Sequence, residues 1–323
     1  MSRIAVVGGG AIGGVLAHAG CAAGHEVTLC VRTPVDRLVV GDHQVPVLIA
    51  ASPSEAGLVD WVIVATKAYH GVSAWLKELT GPGTGVVVVR NGVDHVAGPD
   101  AVPALAYIAA RRVAPWHVVR TAGDLLVLPS GPAGNRFAAL LDGAPVRVSL
   151  SADFLTDAWR KLLTNVAANP ITALTARPVG VLEAPGMPWL VRGLLEEAVR
   201  AGTAAGARLS EKDVAATLEF YARFGPDDVT SMLEDRRVGR PTEHEAITGA
   251  VVRAAERHGV DVPLNRAVLA LLTAVDTSGP RPTGAAATTG SAATTGAADA
   301  ASTTSTTGTT GVPSDQPRSV MHN

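Results

Sequence analysis

Near the start of the chain stands Arg3-Ile4-Ala5-Val6-Val7-Gly8-Gly9-Gly10-Ala11-Ile12-Gly13-Gly14, and the fold follows from how this stretch reads. A short apolar, β-branched run leads directly into G-x-G-x-x-G at Gly8, Gly10 and Gly13. An Ala/Leu-rich helical stretch then continues to about Ala23. The glycines have separable roles: a tight turn, close backbone approach to a pyrophosphate, and close packing of helix on strand. Ala11 and Ile12 open the helix, where free N–H groups and the positive dipole end face a phosphate. The chain carries 34 glycines, so the motif alone is weak. Its place between a strand and a helix is what makes it a dinucleotide-binding candidate.

The second strand sharpens that reading. Gly24 closes the helix, and Glu26 to Val31 reads as the next strand. A dinucleotide fold that takes NAD puts Asp or Glu at the end of this strand, on the ribose 2′-OH. Here the end is Val31-Arg32-Thr33, with no acid until Asp36. Arginine suits a 2′-phosphate through charge-assisted hydrogen bonds, which favours NADP(H) over NAD. The alternative is that Arg32 is a solvated charge at a strand end.

Continuous apolar runs follow at residues 60–66 and 85–89, as expected of strands buried on both faces of a parallel sheet. Each leads into polar residues, Thr66-Lys67-Ala68 after the first and Arg90-Asn91-Gly92 after the second. Ligands of open α/β sheets lie beyond the carboxyl ends of the strands, which makes Lys67 and Asn91 candidates. Weaker strand signals occur at 105–109, 117–120, 125–128 and 146–149. Residues 1–148 are therefore expected to form an α/β, Rossmann-type domain on a mainly parallel, doubly wound sheet.

From Ser151 the pattern turns helical. Ser151 and Asp153 mark a start, and Pro170 is expected to end or kink the first long helix at Asn169. Further helices are expected at 186–205, 211–223, 242–258 and 263–276. Ser210 with Asp213 and Thr242 with Glu245 form capping-box-like starts, and Gly259 is a natural stop. Residues 149–276 thus read as an all-α domain.

Within it, Lys161, Asn165 and Asn169 stand four residues apart among mostly apolar neighbours. At roughly 100° per residue each step drifts about 40°, so the three share one helix face. A buried lysine costs free energy unless a charge or a substrate meets it. This seam is the best candidate for a chemical site.

Residues 277–323 consist largely of Ala, Thr, Gly and Ser and hold almost no large apolar side chains. Such a stretch cannot bury enough surface to offset its ordering entropy and is expected to be a disordered tail. The whole chain has 47% hydrophobic residues and a net charge of −2. No electrostatic footprint for nucleic acid or an anionic membrane follows from that balance. No apolar run approaches the ~18 residues of a membrane span, and the N-terminus reads as a core strand rather than a signal peptide. Cys21 and Cys30 lack metal-ligand spacing and read as reduced packing residues of a cytoplasmic protein. The nine histidines show no paired metal spacing, so no metal site is expected.

These motifs resemble the ketopantoate reductase family (2-dehydropantoate 2-reductases) over residues 1–276. The resemblance rests on the glycine motif, Lys67, Asn91-Gly92, Lys161-x3-Asn165-x3-Asn169-Pro170, and Ser231-Met232-Leu233-x-Asp235 leading to Thr242-Glu243. It implies reduction of ketopantoate to pantoate with NADPH, on the route to pantothenate and coenzyme A. By that resemblance Lys161 is the catalytic lysine and Glu243 the acid that supports it. The resemblance also implies that Asn165, Asn169, Ser231 and Asn91 contact a small 2-keto acid. Gly8, Gly10, Ala11, Ile12, Gly13, Arg32, Lys67 and Asn91 are expected to contact the cofactor. Hydride delivery builds negative charge on the ketone oxygen, which a nearby ammonium stabilises and protonates. Arg90 stands where the family commonly has glutamine, and the long tail is not a family feature. Two alternatives stay open, a reductase of another 2-keto acid and a non-catalytic NADP-binding sensor. The assembly is expected to be a monomer or homodimer.

Overall fold

The computed structural model describes residues 1–33, 35–68, 70–94, 100–277 and 320–321. The N-terminal part alternates strands and helices: β1 (Arg3–Val7), α1 (Ala11–Ala22), β2 (Glu26–Cys30), β3 (Leu38–Val40), β4 (His43–Val45), β5 (Leu48–Ala50) and α2 (Pro53–Ala56). It continues with β6 (Trp61–Val64), α3 (Ser73–Leu79), β7 (Gly85–Val89), β8 (Val102–Ala114), β9 (His117–Pro129), α4 (Pro132–Leu140) and β10 (Arg147–Ser151).

Strands β5-β2-β1-β6-β7-β8 run parallel in that order, the Rossmann-type half of the sheet. Their residues are apolar on both faces, and separate clusters cover the two sides. Beyond β8 the sheet turns mixed. β8 and β9 form an antiparallel hairpin of two 13-residue strands with register shifts, and β9 pairs in parallel with β3 and β10. The isolated strand signals between 105 and 128 are thus pieces of one long hairpin. Its pattern is hidden because Arg111, Arg112 and Arg120 punctuate it and its bulges break the alternation.

Helices α5 (Phe154–Val166), α6 (Ala168–Thr175), α7 (Met187–Ala204), α8 (Glu211–Tyr221), α9 (Ser231–Arg237), α10 (His244–His258) and α11 (Pro263–Thr277) build the second part around one apolar core. Asp153 caps α5 by accepting from the Thr156 N–H, and Ser210 with Asp213 forms a reciprocal capping box on α8. Thr242 does not cap α10, which begins at His244. Its hydroxyl meets Asp276 and His244 instead.

The break expected at Asn169 falls earlier, at Ala167. Pro170 lies in the first turn of α6, where its missing N–H leaves no intrahelical bond unmade. Ile171 restarts the ladder by donating to the Ala167 carbonyl at 3.1 Å. The disordered tail expected over 277–323 falls, for residues 278–319 and 322–323, outside the described residues; Val320–Met321 (β12) pairs in parallel with Val229–Thr230 (β11). No helix among the described residues is long and apolar enough to cross a membrane.

Candidate active site

A cleft of about 500 Å³ opens at the carboxyl ends of β1, β2, β6 and β7, the position expected for a ligand of an open α/β sheet. Gly8, Gly10, Ala11, Ile12, Arg32, Lys67 and Asn91 line it from the sheet side. Lys161, Ser231 and Glu243 line it from the helices. Asn165 lines a smaller recess that shares Arg90, Asn91 and Lys161 with the main cleft. Gly13 and Asn169 lie behind these walls.

The glycine loop has the geometry its sequence predicts. Gly8 adopts φ +118°, where an added Cβ would also press on the Ala65 carbonyl at 2.8 Å. A Cβ at Gly13 would collide with the Gly8 carbonyl oxygen, so this glycine sets the close approach of helix to loop. Gly10 faces open space, with nothing within 4 Å of where its Cβ would stand. The first turn of α1 holds no acidic side chain, and helix geometry leaves its N–H groups without intrahelical partners. An anionic group such as a pyrophosphate fits this cradle.

Arg32 is exposed at the rim, with its guanidinium 3.3 Å from the His70 Nε2. Burial, then Arg32 and Arg90, push the His70 pKa below its usual value, which keeps the ring neutral as an acceptor. Arg90 donates to the Thr66 and His70 carbonyls and fastens the loop after β6.

Lys161 is 5% exposed, and its Nζ has no hydrogen-bond partner. The amine faces the Tyr107 ring, 5.0 Å from its centroid. Burial lowers its pKa from 10.5 to about 7. On the same seam, the Asn169 amide donates to Asn165 Oδ1 at 3.3 Å, while Asn169 Oδ1 stays unpaired. The seam continues across the break at Ala167, because α6 resumes at once.

Glu243 does not bond to Lys161. Its carboxylate accepts from Lys67 Nζ at 2.9 Å, the Asn91 amide at 3.1 Å and the Ala68 N–H at 3.2 Å. Lys67 also bonds Asp235 at 2.9 Å, and Asp235 accepts from Arg240 at 2.9 Å. Burial alone would lower the Lys67 pKa, but the carboxylates of Glu243 and Asp235 outweigh it and hold the amine protonated. Lys67 is therefore the cation of an ion cluster joining the sheet to the helices, and it lines the cleft as well.

The roles of Asp235, Arg240, His70, Tyr107 and Trp116 were not legible in sequence. Asp235 carried the one usable signal. Ser231 and Asp235 lie four residues apart on α9, and both line the cleft.

A Rossmann-type sheet, a helical partner and a cleft with a buried, unpaired lysine between them define an oxidoreductase of the two-domain α/β-plus-α class. The family described as "Ketopantoate reductase PanE/ApbA" matches residues 4–133, and its C-terminal counterpart matches residues 153–276. The 2-dehydropantoate 2-reductase of Caulobacter vibrioides is 38% identical over 288 residues, covering 85% of this chain and 99% of that protein. The one from Mycobacterium tuberculosis is 36% identical over 294 residues, covering 86% and 98%. Among solved structures, a dimeric ketopantoate reductase from Staphylococcus aureus superposes with TM-score 0.78 at 25% identity, over 85% of this chain and 99% of that one. The chain belongs to the ketopantoate reductase family.

Proposed function

We propose that the protein reduces 2-dehydropantoate to pantoate with NADPH, using Lys161 as the general acid. The observation that carries this reading is the Lys161 amine, buried on the cleft floor without a partner and with its pKa lowered to about 7. A lysine tuned to that range can both hold and release a proton at neutral pH. NADPH, when bound, supplies the hydride to the keto carbon.

The chain's own groups do the rest. The Lys161 ammonium attracts the charge that gathers on the keto oxygen and gives that oxygen its proton. Asn165, next to Lys161 in the adjoining recess, offers an amide to the keto acid, and Asn169 holds that amide by donating to its oxygen. Ser231 offers a hydroxyl from the start of α9. Glu243 acts through Lys67 and Asn91, fixing the loops after β6 and β7 against the helices. Arg32 at the rim answers a ribose 2′-phosphate, which supports NADPH over NADH. The likeness to the dimeric Staphylococcus aureus enzyme supports a homodimer. The reaction is tested by following NADPH oxidation with 2-dehydropantoate beside a panel of other 2-keto acids. Turnover confined to another acid refutes the substrate assignment.

A further inference from the structure

The tip of the β8–β9 hairpin reaches over the glycine loop. Ala114 pairs with His117, so Pro115 and Trp116 form a two-residue turn. Trp116 stands there at φ +59°, a backbone region that strongly favours glycine in such turns. An L side chain held there costs free energy and persists only where its surroundings fix it. Its surroundings are specific. The indole lies against Gly9, between the first two glycines of the motif, so closely that a Cβ at Gly9 would overlap the ring. Val31, one residue before Arg32, closes the other side of that Gly9 position at 2.8 Å. The Arg112 guanidinium lies 5.9 Å from the centroid of the Trp116 ring. Trp116, Arg112, Arg111 and Arg32 all line the main cleft, and Arg111 Nε is buried there without a partner.

This end of the cleft therefore joins an aromatic face to several guanidinium groups, beside the strand end that carries Arg32. A flat π-system carrying a phosphate matches that chemistry. We propose that Trp116 and Arg112 form the adenosine pocket of the cofactor site, with the indole against the adenine and Arg112 joining Arg32 on the 2′-phosphate. The proposal rests on the NADPH reading above and adds the residues that hold the far end of the cofactor from the reacting carbon.

The test is calorimetric binding of 2′,5′-ADP and of 5′-ADP to the full chain, without catalysis. Trp116→Gly removes the ring while suiting the positive φ, so the turn keeps its geometry. It should weaken both fragments about tenfold or more. Trp116→Phe should stay within about threefold of wild type. Arg112→Ala should weaken 2′,5′-ADP while leaving 5′-ADP nearly unchanged. Unchanged binding in Trp116→Gly overturns the proposal. So does tighter binding, which would mean that the ring obstructs the site. Equal wild-type affinity for the two fragments would overturn the 2′-phosphate reading and the Arg112 role together. The Trp116 loss would then still be read on 5′-ADP, so the two failures are distinguishable.

Discussion

Lys67 and Glu243, 176 residues apart in sequence, meet at 2.9 Å and tie the loop after β6 to the start of α10. Asp235 approaches the same amine at 2.9 Å, so one cation separates two carboxylates whose side chains are each 4% exposed. Removing the cation leaves Glu243 without a charged partner beside Asp235, which keeps only Arg240. Lys67→Met should therefore destabilise the protein by about 2 kcal/mol, less than the ~3–5 kcal/mol of a fully buried pair. The discount arises because 35% of the Lys67 side chain is exposed to solvent. Denaturant unfolding checks this, and an unchanged midpoint would show that the cluster carries no net stability.

Lys161→Met should separate catalysis from stability. Loss of the general acid should lower kcat about 10²–10⁴-fold with NADPH affinity nearly intact. The same substitution removes a buried amine that has no partner, so the folded state should become more stable at neutral pH. A variant that is both active and no more stable contradicts the role assigned to this side chain.

The pH dependence follows from the same group. Its pKa is about 7 folded against 10.5 unfolded, and burial is the cause. Between those values the unfolded chain holds a proton that the folded one has released, so stability rises with pH across that window. Below pH 7 the penalty is complete, and the stabilisation by Lys161→Met should be largest there. Activity runs the other way. The acid is lost as pH climbs, so kcat/KM should fall above about 7, and a substrate carboxylate beside the ammonium should move the kcat limb higher. A profile flat from pH 6 to 9 would remove Lys161 as the proton donor.

Arg32→Ala should weaken NADPH by about tenfold or more and NADH far less, since only the former carries the 2′-phosphate. Fluorescence titration of both cofactors measures this. Equal losses would return Arg32 to a solvated strand end.

Features written into local pattern were legible in sequence. The strand–glycine–helix unit at 3–22 and the helices at 187–204, 211–221 and 263–277 follow from short-range chemistry. So does the Lys161–Asn165–Asn169 seam. What escaped depends on distant partners. The Lys67–Glu243–Asp235 cluster spans up to 176 residues, and no local rule predicts that a loop lysine will meet two later carboxylates. The β8–β9 hairpin escaped because its bulges shift the alternating register. Trp116 carries no sequence signal, and only its φ of +59° and its contact with Gly9 single it out.

In the proposed reaction Lys161 protonates the keto oxygen of 2-dehydropantoate as NADPH delivers hydride. That reaction is tested most directly by steady-state NADPH oxidation with 2-dehydropantoate and other 2-keto acids, for wild type and Lys161→Ala in parallel. 2-Dehydropantoate should give the highest kcat/KM of the panel, and Lys161→Ala should lose about 10²-fold or more of kcat. Comparable turnover by the variant, or a different acid as the preferred substrate, would contradict the proposed reaction.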